Sequence, residues 1–329
     1  MALEYNQPLP VVRVGEIPAE DNTHRWLVEQ LWGDSSVGVI GGAPKCSKTW
    51  LGLDLALSVA TGTACLGKYA VPRAGPVLVY LAEDALPVVR ERVAGMARHR
   101  GLDLARVEIH VITAATLRLD REPHPTRLFE TAKRLRPRLL LLDPLVRLHG
   151  IDENHASEVA GLLAYFRALQ RQLDLSVMLV HHTRKNAAGG VAAGQGLRGS
   201  SDLHAFGDSN LYLRRTREHL LLSSEHRAAP ASPPVYLELV ATRAETTHLE
   251  VVAELDGQQQ RRSLQEQVLA LLAQGTGQTR AKLRDALSVK NQRLGEALES
   301  LEQAGRIRRT PTGWQRIDGE QEGSFPFPL

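Results

Sequence analysis

The sequence predicts an α/β fold with a mainly parallel sheet in three layers, extended by antiparallel hairpins and followed by a small second domain. Strand-length apolar runs alternate with helical patterns in the first part of the chain, and short strands follow one another after it. Continuous apolar runs suit strands buried on both faces, with helices covering each side of the sheet. The runs are Val37–Ile40, Val77–Ala82, Val107–Ile112, Leu139–Leu142 and Ser176–Val180.

Helical patterns lie between these runs. Leu51, Leu55 and Val59 recur at the spacing of one helix face, and Gly62 stands where a helix C-cap is expected. A second apolar stripe, typical of a helix that packs on a sheet, consists of Val159, Leu162, Leu163, Phe166 and Leu169.

From Leu211 the alternation of strands with helices stops. Short strand patterns follow directly on one another, joined by turns rich in proline and serine. We expect them to form antiparallel hairpins that extend one edge of the sheet. The predicted strands are Leu211–Leu213, His219–Ser223, Val235–Val240 and Leu249–Ala253.

Composition excludes several classes of protein. Of the 329 residues 43% are hydrophobic and 23% are charged, which is ordinary for a globular protein and too apolar for a disordered one. Two cysteines are too few for a disulfide framework, and no apolar run approaches the roughly 18 residues of a membrane span. With no secretory signal at the N-terminus, we expect a cytoplasmic protein with no membrane partner.

The net charge of +3 is unevenly distributed. Residues 261–318 contain 11 lysines and arginines against 6 aspartates and glutamates, a net charge of +5, whereas residues 1–260 are neutral. This asymmetry indicates a polyanion-binding module attached to a neutral body. We expect an N-terminal segment at 1–24, a main domain at 25–256, a glutamine-rich linker at 257–262, a second domain at 263–318 and a flexible tail at 319–329.

A phosphate-binding motif follows the first predicted strand. Residues 37–49 read VGVIGGAPKCSKT, a strand and loop that lead into an amphipathic helix. In the Walker A pattern, backbone N–H groups and a helix N-terminus surround the phosphates, lysine neutralises them and a hydroxyl ligates Mg²⁺. Thr49 is therefore a predicted Mg²⁺ ligand. The predicted nucleotide-binding residues are Gly42, Ala43, Pro44, Lys45, Cys46, Ser47, Lys48, Thr49 and Trp50.

Two residues of this loop depart from the ordinary pattern. Ser47 stands in place of the usual glycine, and serine resists the φ values and the close approach that glycine allows. The rate of hydrolysis is therefore the property most exposed to this change. Cys46 has two interpretations, a passive small residue or a thiol whose pKa the helix dipole lowers for a redox role.

Carboxylates follow two of the apolar strands. Asp143 ends the run Leu139–Leu142 in the Walker B form, and we expect it to hold Mg²⁺ through water. Glu83 and Asp84 follow Val77–Ala82, at the sheet edge where open α/β folds bind ligands. Glu83 is expected to orient and activate an attacking water. The alternative is capping of the next helix, which we favour for Asp84.

Two adjacent histidines, His181 and His182, follow the strand at Ser176–Val180. Adjacent histidines suggest a metal site, but no cysteine or acid stands near them in sequence at zinc-ligand spacing. A polar residue here is instead expected to sense the γ-phosphate. The pair carries this assignment without a choice between its members.

These motifs occur in an order that matches one protein family. Along residues 25–245 the chain carries GGAPKCSKTWLGLDLALSVATG, VYLAED, LLLLDPLVRLHGIDENHASEV, VMLVHHTRK and LRGSSDLHAFGDSNLYLRR. Together they resemble the RepA-type AAA ATPases, which have the RecA-like core of hexameric replicative helicases. The resemblance implies a RecA-like P-loop fold, ATP at the interfaces of a homo-oligomeric ring, usually a hexamer, and single-stranded DNA in its channel. It assigns Lys48 and Thr49 to Walker A, Asp143 to Walker B, and Glu83 to the catalytic carboxylate.

The same resemblance indicates DNA contacts. Residues 186–197 form a glycine- and alanine-rich loop, and in RecA-like proteins the loop at this place faces the pore. Arg184, Lys185 and Arg198 flank it, so contact with DNA phosphates is expected, the alternative being an ordinary surface loop. An arginine finger is expected from a neighbouring subunit. Arg214 and Arg215 are the candidates, and the sequence does not select between them.

The basic C-terminal segment predicts three helices and a β-hairpin. A capping box at Ser263–Glu266 is expected to begin the first helix, and residues 279–287 predict the second. The third begins near Val289, and Thr310–Gly313 suits a type I turn between two strands.

This arrangement resembles a winged helix-turn-helix domain. Lys290 and Arg293 open the third helix, at the end that enters a major groove in such domains. Arg308 and Arg309 are placed to bring the wing onto phosphates. Glutamates later on the third helix oppose DNA binding, so docking of a protein partner is the alternative to duplex DNA.

The sequence therefore predicts an oligomeric, Mg²⁺-dependent ATPase that acts on DNA, most directly a RepA-type helicase or replication ATPase. The main alternative is an ATP-gated DNA-binding regulator, adaptor or loader in which Ser47 slows hydrolysis. A small-molecule kinase is disfavoured because no arginine-rich lid is visible in the sequence.

Overall fold

The computed structural model describes residues 10–17, 25–152, 156–182, 201–216, 219–242, 246–252, 257–273, 278–287, 289 and 291–317. The chain divides into two compact units, residues 1–252 and 253–329. In the described part of the chain no helix combines the length and the apolar character that crossing a membrane requires.

The first unit contains eleven strands and five helices among its described residues. Strands are β1 (Trp26–Val28), β2 (Trp32–Gly33), β3 (Val37–Gly42), β4 (Val77–Leu81), β5 (Ile109–Val111), β6 (Leu139–Asp143), β7 (Ser176–His182), β8 (Ser209–Arg215), β9 (Leu220–His226), β10 (Val235–Ala241) and β11 (Thr247–Val252). Helices are α1 (Lys48–Thr61), α2 (Leu86–His99), α3 (His124–Leu135), α4 (Ala156–Leu173) and α5 (Ser201–Phe206).

One sheet of nine strands organises this unit, in the order β11-β10-β9-β8-β3-β7-β6-β4-β5. The strands from β8 to β5 are parallel to their neighbours, whereas β8, β9, β10 and β11 pair antiparallel. The predicted hairpins at one edge of a parallel sheet are therefore confirmed. All nine sequence-predicted strands are present, although several begin or end a few residues away from the expected positions.

Both faces of the parallel strands are buried, as their continuous apolar runs predict. Along β6, Leu139 and Leu141 belong to the core on one face, and Leu140 and Leu142 belong to the core on the other. Helix α1 covers the first face through Leu51, Leu55 and Val59, and α4 covers the second through Leu163, Phe166 and Leu169. The molecule thus has the predicted three layers. The C-cap prediction for α1 is also confirmed, because Gly62 has a φ of 73°.

An N-terminal hairpin was not predicted from the sequence. Strands β1 and β2 pair antiparallel and bring the fully buried Trp32 into the core beneath α1. Strands this short leave no period-two pattern to detect. Of the expected N-terminal segment at 1–24, residues 10–17 are described, with one short 3₁₀ turn at Val14–Glu16.

The second unit consists of three helices and a two-stranded antiparallel hairpin. These are α6 (Gly257–Ala273), α7 (Arg280–Leu287), α8 (Asn291–Gln303), β12 (Ile307–Thr310) and β13 (Gly313–Arg316). The helices enclose an aliphatic core of their own, which includes Val268, Leu283 and Leu298.

Two expectations for this unit are wrong. Residues 257–262, predicted as a linker, belong to α6, and the helix begins six residues before the capping box at Ser263. Glutamine and arginine are good helix formers, so a polar run of them continues a helix as readily as it interrupts one. The expected tail at 319–329 lies outside the described residues.

Candidate functional site

Four strands of the sheet end at one cleft, and their register brings the predicted motifs together. Strand β3 lies between β7 and β8, with Gly42 opposite His182. Strand β4 pairs with β6 so that Leu81, two residues before Glu83, is opposite Asp143. Parallel strands carry their carboxyl ends to the same edge of a sheet, where open α/β folds place their ligand sites. Residues far apart in sequence therefore share one site.

The phosphate loop wraps around the side chain of Lys48. The Lys48 Nζ donates hydrogen bonds to the carbonyl oxygens of Gly42 at 3.0 Å and Ala43 at 2.8 Å. Burial lowers the pKa of this lysine, and the nearby Cys46 and Asp143 partly offset that effect. A buried ammonium at the N-terminus of α1 is a site for phosphate oxygens, because the helix end adds free N–H groups and a partial positive charge.

The backbone of this loop is strained at two residues. Lys45 and Ser47 have φ values of 61° and 64°, in the left-handed region that costs an L-residue roughly 1–2 kcal/mol. The glycine of the Walker A pattern would adopt the conformation at Ser47 without this cost. Close approach matters at Gly42, where a Cβ atom would lie 2.6 Å from both the Leu213 carbonyl oxygen and the Cys46 Sγ.

A hydroxyl and a carboxylate meet beneath the loop. Thr49 Oγ1 donates a hydrogen bond of 2.7 Å to Asp143 Oδ2. Burial raises the pKa of Asp143 to about 6, although the hydrogen bond from Thr49 and the charge of Lys48 act in the opposite direction. Hydroxyl and carboxylate oxygens are the ligand types that Mg²⁺ uses, usually with retained waters. The pair therefore fits the predicted metal position.

The two acids after β4 have different partners. Glu83 is half-exposed and its Oε1 accepts a hydrogen bond of 2.8 Å from Arg147 Nε. Asp84 accepts a hydrogen bond of 2.7 Å from Arg92, one of the inward residues of α2. The prediction that Asp84 caps this helix is wrong, because Ala85 is the N-cap and no side chain bonds there. The charge of Arg92 outweighs the capping interaction.

The cleft has a volume of about 290 Å³ and contains most of the predicted nucleotide residues. Trp50 forms part of its wall, and the Arg92 guanidinium lies 5.3 Å from the centre of the Trp50 ring, within cation–π range. The lining residues are Lys45, Cys46, Ser47, Lys48, Thr49, Trp50, Glu83, Asp84, Arg92, Asp143 and His182. Of the predicted set, Ala43 and Pro44 are exposed on the loop outside this lining.

The structure separates the two adjacent histidines. His182 lines the cleft, and Lys48 Nζ donates to its Nδ1 over 3.2 Å, which requires the imidazole proton on Nε2. His181 is buried and is not part of the cleft lining. Successive side chains of a strand point to opposite faces, so only one of two neighbours reaches a given site. Of the predicted pair, the geometry selects His182.

Cys46 is a buried packing residue in this loop. It is 1% exposed and belongs to the core beneath α1. Burial raises the pKa of its thiol, more than the neighbouring Lys48 lowers it. The interpretation as a low-pKa thiol is therefore wrong, and the passive interpretation fits the geometry.

The sequence analysis did not identify two arginines of the site, Arg92 and Arg147. Arg147 follows Asp143 by one turn of chain, and Arg92 lies on the first half of α2. Neither belongs to a recognisable motif, and only the path of the backbone brings their guanidinium groups to Glu83 and Asp84.

The arginine-finger candidates end β8, next to the phosphate loop of the same chain. Both are exposed, and Arg215 Nη2 donates to the Lys45 carbonyl oxygen over 3.2 Å. This contact places Arg215 beside its own phosphate loop, whereas Arg214 lies at the preceding position of the strand.

The predicted DNA-contacting residues are only partly described. Arg184, Lys185, Arg198 and Lys290 lie outside the described residues. Arg293 lies in the first turn of α8. In the hairpin of the second unit Arg308 and Arg309 are exposed, and Arg308 donates to Gln315 Oε1 over 3.2 Å.

Comparison with solved structures shows a shared fold. One structure, titled as an ATPase domain, aligns over 67% of this chain and 86% of its own, with a TM-score of 0.52 and 13% identity. A second, titled as a DnaB-like replicative helicase and its interactions with primase, aligns over 65% of this chain and 59% of its own, with a TM-score of 0.51 and 14% identity. The strand order and the P-loop geometry described above therefore belong to a RecA-like core.

Comparison with protein families gives a match in the same region. The family model described as an AAA domain matches residues 4–188, more than half of the chain, and spans the phosphate loop, Glu83, Asp143 and both histidines. The chain belongs to the AAA_25 family of AAA domains.

Proposed function

We propose that this protein is a Mg²⁺-dependent ATPase that acts on DNA as an oligomer. The observation that carries the proposal is the convergence of Lys48, the Thr49–Asp143 pair and Glu83 on one cleft at the carboxyl edge of the sheet. Those groups supply a phosphate-binding cation, oxygen ligands for a divalent ion and a carboxylate at the mouth of the site. Membership of the AAA family supports the same function.

Each group has a distinct role in this proposal. Lys48 exchanges its carbonyl contacts for phosphate oxygens of ATP, and Thr49 and Asp143 hold Mg²⁺, which neutralises phosphate charge when bound. Glu83 orients the attacking water once its contact with Arg147 opens. His182, hydrogen-bonded to Lys48, is placed to respond to the terminal phosphate.

DNA is the proposed partner, and the proposed assembly is a ring, usually a hexamer. The similarity in fold to a DnaB-like helicase and the resemblance to RepA-type ATPases support a helicase or replication ATPase. In that assembly Arg184, Lys185 and Arg198 contact single-stranded DNA in the pore. Arg214 or Arg215 reaches the ATP of a neighbouring subunit. The second unit is proposed as a winged helix that binds duplex DNA or a protein partner through Arg293, Arg308 and Arg309.

The test combines ATP hydrolysis, strand unwinding and native mass. We expect hydrolysis that single-stranded DNA stimulates, unwinding of a tailed duplex, and a ring mass in the presence of ATP. Lys48→Ala should reduce kcat/KM by at least about a hundredfold, a loss of about 3 kcal/mol in transition-state stabilisation. Lys133→Ala removes an exposed lysine of α3 and is the matched control. A stable monomer with neither activity contradicts the proposal.

The alternative is an ATP-gated DNA-binding regulator, adaptor or loader with slow hydrolysis. Two observations favour it: the left-handed Ser47 and the ion pair that holds Glu83 to Arg147. It predicts nucleotide-dependent assembly or duplex binding without unwinding. Ser47→Gly and Arg147→Ala separate the two functions, because a large rise in ATPase rate in either variant indicates a site that is held slow.

A further inference from the structure

Three metal-ligating side chains meet at the far end of α2, outside the nucleotide cleft. His99 is the last residue of this helix, and His248 and Glu250 stand on β11, the outermost strand of the sheet. Each offers one ligand atom, and these atoms lie within 4.8 Å of one another. This is the group of three or more such side chains with metal-binding spacing in the described part of the chain. None of the three lines the nucleotide cleft.

The two imidazole rings are held face to face. Their centroids are 3.4 Å apart with an interplanar angle of 17°, and His248 Nε2 lies 2.7 Å from Glu250 Oε1. If both rings were protonated, their positive charges would repel at this distance. As neutral rings they present nitrogen lone pairs to the same small volume, next to a carboxylate.

The buried member of this group lacks part of its hydrogen bonding. His248 is 3% exposed, and among the described residues its Nδ1 atom has no hydrogen-bond partner. A buried polar atom without a partner costs roughly 1–3 kcal/mol, so such atoms are rare unless they serve a purpose. Because Glu250 faces Nε2, the neutral ring that donates there carries its lone pair on Nδ1.

We propose that His99, His248 and Glu250 bind a divalent transition-metal ion, with Zn²⁺ as the best-suited ion. Two imidazoles and one carboxylate suit Zn²⁺ and exclude a preference for Mg²⁺ or Ca²⁺, which take oxygen ligands. Ligands of one tetrahedral zinc ion lie about 3.4 Å apart, given bond lengths of 2.0–2.1 Å. Small rotations of the exposed His99 and Glu250 side chains close the difference from the observed spacing.

The surroundings favour a cation at this position. The C-terminal end of α2 carries a partial negative charge, and Glu250 contributes a full one. Arg100, the adjacent cation, is committed to Asp54 through a 2.6 Å ion pair. Burial and the neighbouring His248 lower the pKa of His99, so its ring is neutral and able to ligate a metal at neutral pH.

The proposed ion joins two elements that are distant in sequence. Strand β11 packs on α1 and α2, and an ion at His99 holds the free edge of the sheet to the end of α2. Its role is therefore structural, and its binding should raise the melting temperature of the first unit. The site does not depend on the proposed ATPase activity, and its test needs no nucleotide.

The experiment titrates the metal-free full-length protein with Co²⁺, followed by visible absorption, and with Zn²⁺, followed by calorimetry, both without nucleotide. We expect one Zn²⁺ per chain, a Co²⁺ d–d band that Zn²⁺ removes, and a rise in melting temperature with saturating Zn²⁺. His99→Ala should weaken Zn²⁺ binding by about tenfold or more, as loss of a ligand does. Because His99 is exposed, this variant should keep the fold, checked by circular dichroism.

The control is His110→Ala. His110 is an exposed histidine that also contacts a glutamate, Glu108, at 3.1 Å, but it belongs to no such three-residue group among the described residues. This variant should bind Zn²⁺ like the original protein. Equal Zn²⁺ affinity in the original protein and in both His99→Ala and Glu250→Gln overturns the proposal, as does the absence of Zn²⁺ binding at about 100-fold molar excess.

Discussion

Asp143 shows how one residue of this site trades stability for function. Its carboxylate is buried, and the hydrogen bond from Thr49 and the charge of Lys48 do not fully compensate for lost hydration. A pKa of about 6 instead of 3.8 means that the ionised form is costly in the folded protein. Linkage converts this shift to about 3 kcal/mol at neutral pH. A bound Mg²⁺ would offset this cost.

We therefore expect Asp143→Asn to stabilise the protein without nucleotide. The folded state binds more protons than the unfolded state between pH 4 and 6, so the stability contributed by Asp143 falls as pH rises through that window. At pH 7 the variant should gain up to about 3 kcal/mol in free energy of unfolding, and near pH 4 almost nothing. Urea titrations at both pH values measure the gain. A loss of stability at pH 7, or a gain independent of pH, contradicts the prediction.

Strain at Ser47 leads to a second prediction at this scale. Serine at a φ of 64° carries a cost that glycine does not, although glycine loses more entropy on folding. We expect Ser47→Gly to raise the free energy of unfolding by up to about 1 kcal/mol, measured by urea titration. Ser35→Gly is the matched control, because Ser35 also has a left-handed φ, of 45°, and lies outside the cleft. It should give a similar gain without changing nucleotide affinity.

At the scale of elements, a buried polar network joins α1 to α2. Asp54 of α1 is 2% exposed, and its carboxylate accepts hydrogen bonds from Arg100, the Leu66 N–H and the Cys65 thiol. Arg100, directly after α2, also donates to Ser58 at 2.8 Å. The network fixes the C-terminal end of α2 against the helix that follows the phosphate loop.

Removal of Arg100 should therefore be costly. Arg100→Met leaves Asp54 as a buried charge without its partner, and we expect the free energy of unfolding to fall by about 3–5 kcal/mol. Arg90→Ala, which removes an exposed arginine of the same helix, should change it by less than about 0.5 kcal/mol. Chemical denaturation compares the two variants. Equal effects would show that α2 is held by its apolar face alone.

At the scale of the whole molecule, the two units have separate hydrophobic cores. Three core clusters lie entirely within residues 1–252, and the fourth lies within 253–329. All residues that line the nucleotide cleft belong to the first unit. Among the described residues, neither unit shares a buried core residue with the other.

We expect residues 1–252 to fold and bind nucleotide without the rest of the chain. Its melting temperature and its affinity for a fluorescent ATP analogue should match those of the full protein within a few degrees and about twofold. The fragment should lose duplex binding if the second unit carries it. Aggregation or loss of nucleotide binding in this fragment contradicts the independence of the two cores.

Local patterns in the sequence were sufficient for most of the fold. Runs such as Leu139–Leu142 are buried on both faces, and a helix pattern such as that of Leu51, Leu55 and Val59 faces the core, because burial follows the period of each element. Polar segments were the weak point. The run at 257–262 was expected to be a linker and is helical, since composition alone does not separate a polar helix from a loop.

The site was predicted where chemistry follows a strand end and was missed where it does not. Lys48, Thr49, Asp143 and Glu83 each stand in a motif, so the sequence by itself determined the phosphate loop and its carboxylates. Only the tertiary structure decided which histidine faces the cleft. It also determined that Arg92 and Arg147 hold the acids, and that His99 meets His248 and Glu250. Motifs record neighbours along the chain, whereas these contacts depend on strand register and helix packing between distant segments.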